Sequence, residues 1–160
     1  CIAGGRYYFH IYANGDISPC VFAPVSCGNI FDIIAGRSPY SSLKDFVERN
    51  PVFVAYRQEQ AKIGDRARPC LLIDHPEAFR RIFQIEGCRP AKNMPEGYLD
   101  GEIASAIDAA AARWREVAAR LEPMAPPLEK QPGEPIAPWQ AGGFSGHESR
   151  PSAGGAEVRM

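Results

Sequence analysis

The sequence contains no run of eighteen or more apolar residues, and its start has neither a charged n-region nor an apolar h-region. Nothing therefore reads as a membrane-spanning helix or a signal peptide, and no membrane partner is expected. Charge of one sign is also lacking: 18 Lys and Arg against 19 Asp and Glu leave a formal net charge of −1. A nucleic-acid surface needs a basic stripe, so no nucleic-acid partner is expected. No Walker or dinucleotide fingerprint occurs, and Gly4-Gly5 is too short for a phosphate loop. Cysteine is sparse and odd in number, five among 160 residues, with no CxxC spacing. An oxidised secreted framework prefers an even count, so reduced thiols and a cytoplasmic location are the default expectation. The chain begins with Cys rather than Met and is expected to be a piece of a longer protein. A lipid-anchored cysteine is usually followed by a flexible tether, whereas a strand pattern starts here within about five residues.

What is present suffices for one domain with a core. From Arg6 to Phe22 the residues alternate, with Tyr7, Phe9 and Ile11 on one face and Tyr8, His10 and Tyr12 on the other. Asn14-Gly15 between strand-like runs predicts a β-hairpin with a two-residue type I′ turn. Gly28-Asn29-Ile30-Phe31 reads as a short extended or turn piece. A helix is expected from Ser41 or Ser42 to Asn50, and Pro51 starts another that Arg57 closes. Asp74 or His75 can cap a helix carrying Pro76 and Glu77, with Phe79, Ile82, Phe83 and Ile85 on its inner face and Gly87 as its stop. A last helix spans about Asp100 to Leu121, with Ile103, Ile107, Ala110, Trp114, Val117 and Leu121 at helical spacing. From Pro123 on, seven prolines and six glycines fall in 38 residues, a composition that predicts a disordered tail. Trp139 and Phe144 are its isolated aromatics.

A hairpin turning at Gly15 brings its far ends together, and with them Cys1 and Cys20. Cys27 follows seven residues after Cys20, and Cys70 comes from a later loop. These four thiols can form a four-thiolate shell. Zinc and iron–sulfur clusters both accept four Cys ligands, so the inventory leaves the choice open. Buried reduced thiols without a ligand are the plain alternative. Cys88, after Gly87, reads as a structural or surface thiol. His10 reads as a packed strand histidine, His75 as a helix-start residue and Arg57 as an ordinary helix-end arginine. The tyrosines read as sheet packing.

Cys1, Gly15, Asp16, Pro19-Cys20, Gly28-Asn29-Ile30, Ser42-Leu43, Arg57 and Pro69-Cys70 occur in an order that resembles the SPASM region of radical S-adenosylmethionine (radical SAM) proteins, or its shorter relative twitch. The resemblance covers about residues 1–75. It implies an α+β module, an N-terminal hairpin with packed helices, that binds an auxiliary 4Fe-4S cluster beside a radical SAM barrel and aids substrate positioning or electron transfer. On this reading 1–90 is the cluster-binding module, 91–122 a helix packed on it and 123–160 the tail. The cluster ligands would be Cys1, Cys20, Cys70 and, as fourth, Cys27; in proteins of this type the additional Cys can instead lie upstream of the hairpin. Full SPASM regions continue with a dense Cys series, whereas here only Cys88 follows Cys70, so one cluster is expected. The CxxxCxxC of the radical core is absent, so S-adenosylmethionine belongs to an upstream barrel and no catalysis is expected from this segment alone. The substrate, peptide or small molecule, would meet the Tyr8, His10 and Tyr12 face. From a different class, the same thiolates would hold zinc in a non-catalytic interaction module.

Overall fold

Pro19 and the backbone of Tyr7 and Tyr8 decide how short the hairpin is. The computed structural model describes residues 1–65 and 67–124. In it β1 (His10–Ile11) pairs antiparallel with β2 (Ile17–Ser18), His10 opposite Ser18 and Ile11 opposite Ile17. The alternation of the sequence extends further, but the N–H groups of Tyr7 and Tyr8 turn back to Ile2 O, and Pro19 has no N–H to offer a ladder. The turn also differs from the expected two-residue form. Tyr12 N–H donates to Asp16 O and Gly15 N–H to Tyr12 O, both at 2.8 Å, which makes a three-residue connection. A type I′ turn needs positive φ at both central residues, whereas Asn14 keeps a negative φ and Gly15 alone is left-handed at +85°.

β3 (Val25–Ser26) pairs antiparallel with β4 (Arg89–Pro90), and an Asp16–Asn29 bridge joins this second small sheet to the hairpin. The described residues form five helices, four between β3 and β4 and one after β4: α1 (Ile30–Ile34), α2 (Leu43–Arg49), α3 (Pro51–Ala61), α4 (Pro76–Phe83) and α5 (Glu102–Leu121). The architecture is a small α+β fold. No described helix is long and apolar enough to cross a membrane.

Helix boundaries follow local chemistry. Ser42 accepts from Asp45 N–H to start α2. Asn50 ends α2 and caps α3 by accepting from Val52 and Phe53 N–H, with Pro51 in the first turn. α3 continues past Arg57 to Ala61. The segment read as extended after Gly28 is instead the start of α1, because Asn29 Oδ1 accepts from Phe31 N–H at 2.9 Å. A Cβ on Gly28 would meet the Phe46 ring at 2.5 Å, so this approach needs glycine.

The core lies between the two sheets and α2 to α4, around Phe46, Phe53, Tyr56, Leu71, Phe79 and Ile82. Phe46 and Phe53 meet edge to face at 5.5 Å, and Phe9 from the hairpin meets Phe53 at 6.1 Å. Each such ring removed from water contributes about 1.5–3 kcal/mol. α5 differs from the expected inner face. Its buried positions are Ala104, Ala111 and Ala118, whereas Trp114, Val117 and Leu121 are exposed. Small side chains let the helix approach closely, and Arg80 to Asp108 at 2.6 Å fixes it to α4. Pro123 and Met124, read as tail, belong to a 3₁₀ turn, Glu122–Met124. The rest of the expected tail, with Trp139 and Phe144, lies outside the described residues.

Candidate functional site

Cys20 ends the hairpin in a buried position, 4% exposed, because Ser18 and Pro19 curl the chain inward. Ser18 Oγ lies 2.9 Å from both Cys20 O and Ala23 O, closing a tight loop around the cysteine. The Tyr8 hydroxyl, from the segment that leads into β1, is 3.4 Å from Cys20 Sγ. Cys70 enters from the loop before α4. Asp74, expected to cap that helix, turns back instead and accepts from Cys70 N–H at 2.8 Å, while Arg68 Nη2 holds Asp74 O at 2.6 Å. His75 takes the N-cap position without a side-chain cap, and its Nε2 is 3.0 Å from Arg68 O. These bonds fix the Cys70 loop.

Three tyrosines register both thiols. Tyr8 is pushed up to about 12, first by its hydrogen bond to Cys20, then by burial and the electrostatic influence of Cys20 and Cys70. Tyr98 is pushed up to about 12 by burial, with Cys70 and Cys20 adding. Tyr56 is raised further, mainly by burial and then by the same two cysteines. Its hydroxyl is buried with no well-formed hydrogen bond, and its interaction with the Cys20 thiol is only a weak one. A buried hydroxyl left with no partner costs about 1–3 kcal/mol, and a weak bond recovers only part of that. Cys20 and Tyr56 belong to one buried core, and Cys70 packs against it, so the two thiols and this hydroxyl share one locality.

Cys1 is exposed, and its carbonyl accepts from Arg6 Nη1 at 2.9 Å. Its segment is nevertheless tied to the hairpin end, since Gly4 N–H donates to Pro19 O at 2.8 Å. Cys27 is placed differently from the expected shell: its thiol hydrogen-bonds with that of Cys88 across β3 and β4. That bond and burial hold the Cys27 thiol well up, while the same bond lowers Cys88. Among the described residues no group of three or more His, Cys, Asp or Glu side chains is arranged to hold a metal ion. Two thiols, Cys20 and Cys70, are what this arrangement offers a soft metal or a cluster.

Other motif residues serve the frame. Arg57 is neither exposed nor at a helix end: it donates to Gly4 O, Val47 O and Glu48 O at 3.1, 2.8 and 3.0 Å, and burial lowers its pKa. Asp16, nearly fully buried, receives Asn14 Nδ2 at 2.9 Å, Asn29 Nδ2 at 3.3 Å and Arg89 Nη2 at 2.7 Å. Burial raises its pKa, but these three donors outweigh burial and hold it below the usual value. Tyr56, Tyr98, Cys88 and Arg89 escaped the sequence reading as site residues. Tyr56 reads as one more apolar helix position, and a two-residue strand such as β4 leaves no alternation to detect. No protein-family model, no curated protein and no solved structure matches this chain.

Proposed function

We propose that this chain is the auxiliary-cluster region of a cytoplasmic radical SAM protein, of the SPASM or twitch type, and that its metal-binding locality is the one shared by Cys20 and Cys70. The observation that carries the reading is that two thiols from distant segments, Cys20 and Cys70, pack at the same core as the Tyr56 hydroxyl, which is buried and held only by a weak interaction with Cys20. Buried polar atoms are ordinarily well paired, so a hydroxyl with only a weak bond, near two soft ligands, favours a bound group there. The ordered motif from Cys1 to Pro69-Cys70 adds independent weight. Cys1, on the segment that Gly4 ties to Pro19, would be the third ligand. The fourth falls to a cysteine upstream of the hairpin, because Cys27 is engaged by Cys88.

When bound, a 4Fe-4S cluster supplies one-electron transfer or a Lewis-acidic iron. This chain's residues do the rest. Tyr8 donates toward Cys20 Sγ, a bond of the kind that tunes cluster potential. Asp74 and Arg68 hold the Cys70 loop, and the Tyr8, His10 and Tyr12 face lies toward a substrate, peptide or small molecule, presented by the barrel.

Iron and sulfide analysis with an optical spectrum, on anaerobically reconstituted protein before and after dithionite, tests the reading. It predicts about four irons and four sulfides per chain and absorption that bleaches on reduction. Cys20→Ala should abolish both. Colourless protein with one zinc per chain would support the zinc-stabilised interaction module instead, and uptake of neither metal by a longer chain that supplies the upstream cysteine would contradict both.

A further inference from the structure

The pairing register of the second sheet sets two cysteines against each other. Val25 stands opposite Pro90 and Ser26 opposite Arg89, so the next pair along the ladder is Cys27 with Cys88. Ala91 N–H donates to Pro24 O at 2.9 Å, and hydrogen-bonded and non-hydrogen-bonded pairs alternate from there in an antiparallel ladder. Cys27 and Cys88 therefore occupy a non-hydrogen-bonded position. Their own amides agree: Cys27 N–H goes to Ile17 O at 2.8 Å and Cys88 N–H to Ile85 O at 3.0 Å, so neither crosses to the other. At such positions the Cα atoms lie about 4.5 Å apart, within the roughly 4.4–6.8 Å span that a disulfide bridges. The two thiols influence each other's titration, as side chains facing each other across the pair would.

We propose that Cys27 and Cys88 are a dithiol/disulfide site, separate from the Cys20 and Cys70 locality, which small-molecule disulfides such as oxidised glutathione close into a cross-strand staple. Cys88 is the partly accessible member and Cys27 the buried one, 5% exposed. Exchange therefore starts at Cys88. Its thiolate attacks one sulfur of oxidised glutathione, forming a mixed disulfide and releasing one glutathione thiolate. Cys27 then gives up its proton to a leaving glutathione, attacks the Cys88 sulfur and expels the second glutathione. In sum two protein thiols are oxidised and one glutathione disulfide is reduced to two thiols. The hydrogen bond that lowers Cys88 favours its role as the attacking group. The staple would fix the segment after α4 to β3, and so tie down both ends of the chain between them, including the loop that carries Cys70.

The test equilibrates the whole chain with mixtures of oxidised and reduced glutathione, quenches with alkylating reagent and maps peptides without reductant. Chymotryptic cleavage after Phe22 separates Cys20 from Cys27. The expected product is a Cys27–Cys88 crosslinked peptide, two hydrogens lighter than its parts, together with a thermal midpoint raised on the order of 10 °C. Cys27→Ser should stop at the Cys88 glutathione adduct, and Cys88→Ser should leave Cys27 reduced. Cys20→Ser should form the same crosslink, which separates this site from the metal reading. Wild-type protein that accumulates the Cys88 adduct without a crosslink, or that joins Cys27 to Cys20 or Cys70, would overturn the proposal.

Discussion

The Tyr8 hydroxyl reaches across the hairpin to within 3.4 Å of Cys20 Sγ, and this bond is the largest influence on how Tyr8 titrates. Tyr8 should therefore remain protonated at a pH where an ordinary tyrosine, with its pKa of about 10, is mostly ionised. Carbon-13 chemical shifts of labelled tyrosines in the metal-free protein check this. Cys20→Ala removes the acceptor and should move Tyr8 down toward the ordinary value, leaving burial as the main residual influence. An unchanged Tyr8 in that variant would contradict the assigned contact.

Gly4 is held at φ +74°, and a Cβ there would stand 2.6 Å from the Tyr56 ring. Gly4→Ala meets both penalties, a left-handed backbone and a displaced buried aromatic. A loss of about 3 kcal/mol in unfolding free energy is expected. Denaturant titration measures it. Because the same ring carries the weakly bonded hydroxyl near Cys20, the variant should also lower iron uptake at temperatures where it is still folded.

Asp16 gives a pH signature. Its folded pKa lies below the ordinary value of 3.8 despite burial. A depressed carboxyl contributes stability that is present above the unfolded value and is lost as pH falls through the folded one. Thermal midpoints should thus drop below about pH 4, and Asp16→Asn should flatten that drop. At neutral pH the substitution should cost about 1–2 kcal/mol, a modest figure because its partner Arg89 is more than half exposed. A variant with an unaltered acid limb would show that the Asn14, Asn29 and Arg89 cluster does not hold the charge.

Much of the frame was legible where one residue decides a local outcome. Ser42, the Asn50-Pro51 junction and Pro76 mark helix starts that the structure keeps, because capping is a short-range matter. Asn14-Gly15 announced a hairpin, but its length depended on Tyr12 and Asp16 closing the turn, which no dipeptide encodes. On α5 the periodicity of the large residues pointed to the wrong face: the alanines at 104, 111 and 118 go inward, since close helix approach rewards small side chains there. The cysteines divide similarly. Cys20 and Cys70 were visible as candidates by motif, whereas the partnership of Cys27 with Cys88 depends on a register set 61 residues apart in sequence, between strands of two residues each. Asp74 illustrates the same limit, since it reads as a cap and serves as a clamp on Cys70.

On the proposed function the cysteines divide into two separate pairs, Cys20 with Cys70 and Cys27 with Cys88, and paired double variants test this most directly. Iron and acid-labile sulfide per chain, measured after anaerobic reconstitution, should be lost in Cys20→Ser/Cys70→Ser and retained at the wild-type level in Cys27→Ser/Cys88→Ser. Iron lost from the second pair while the protein remains folded would contradict the division, and would return Cys27 to the ligand shell.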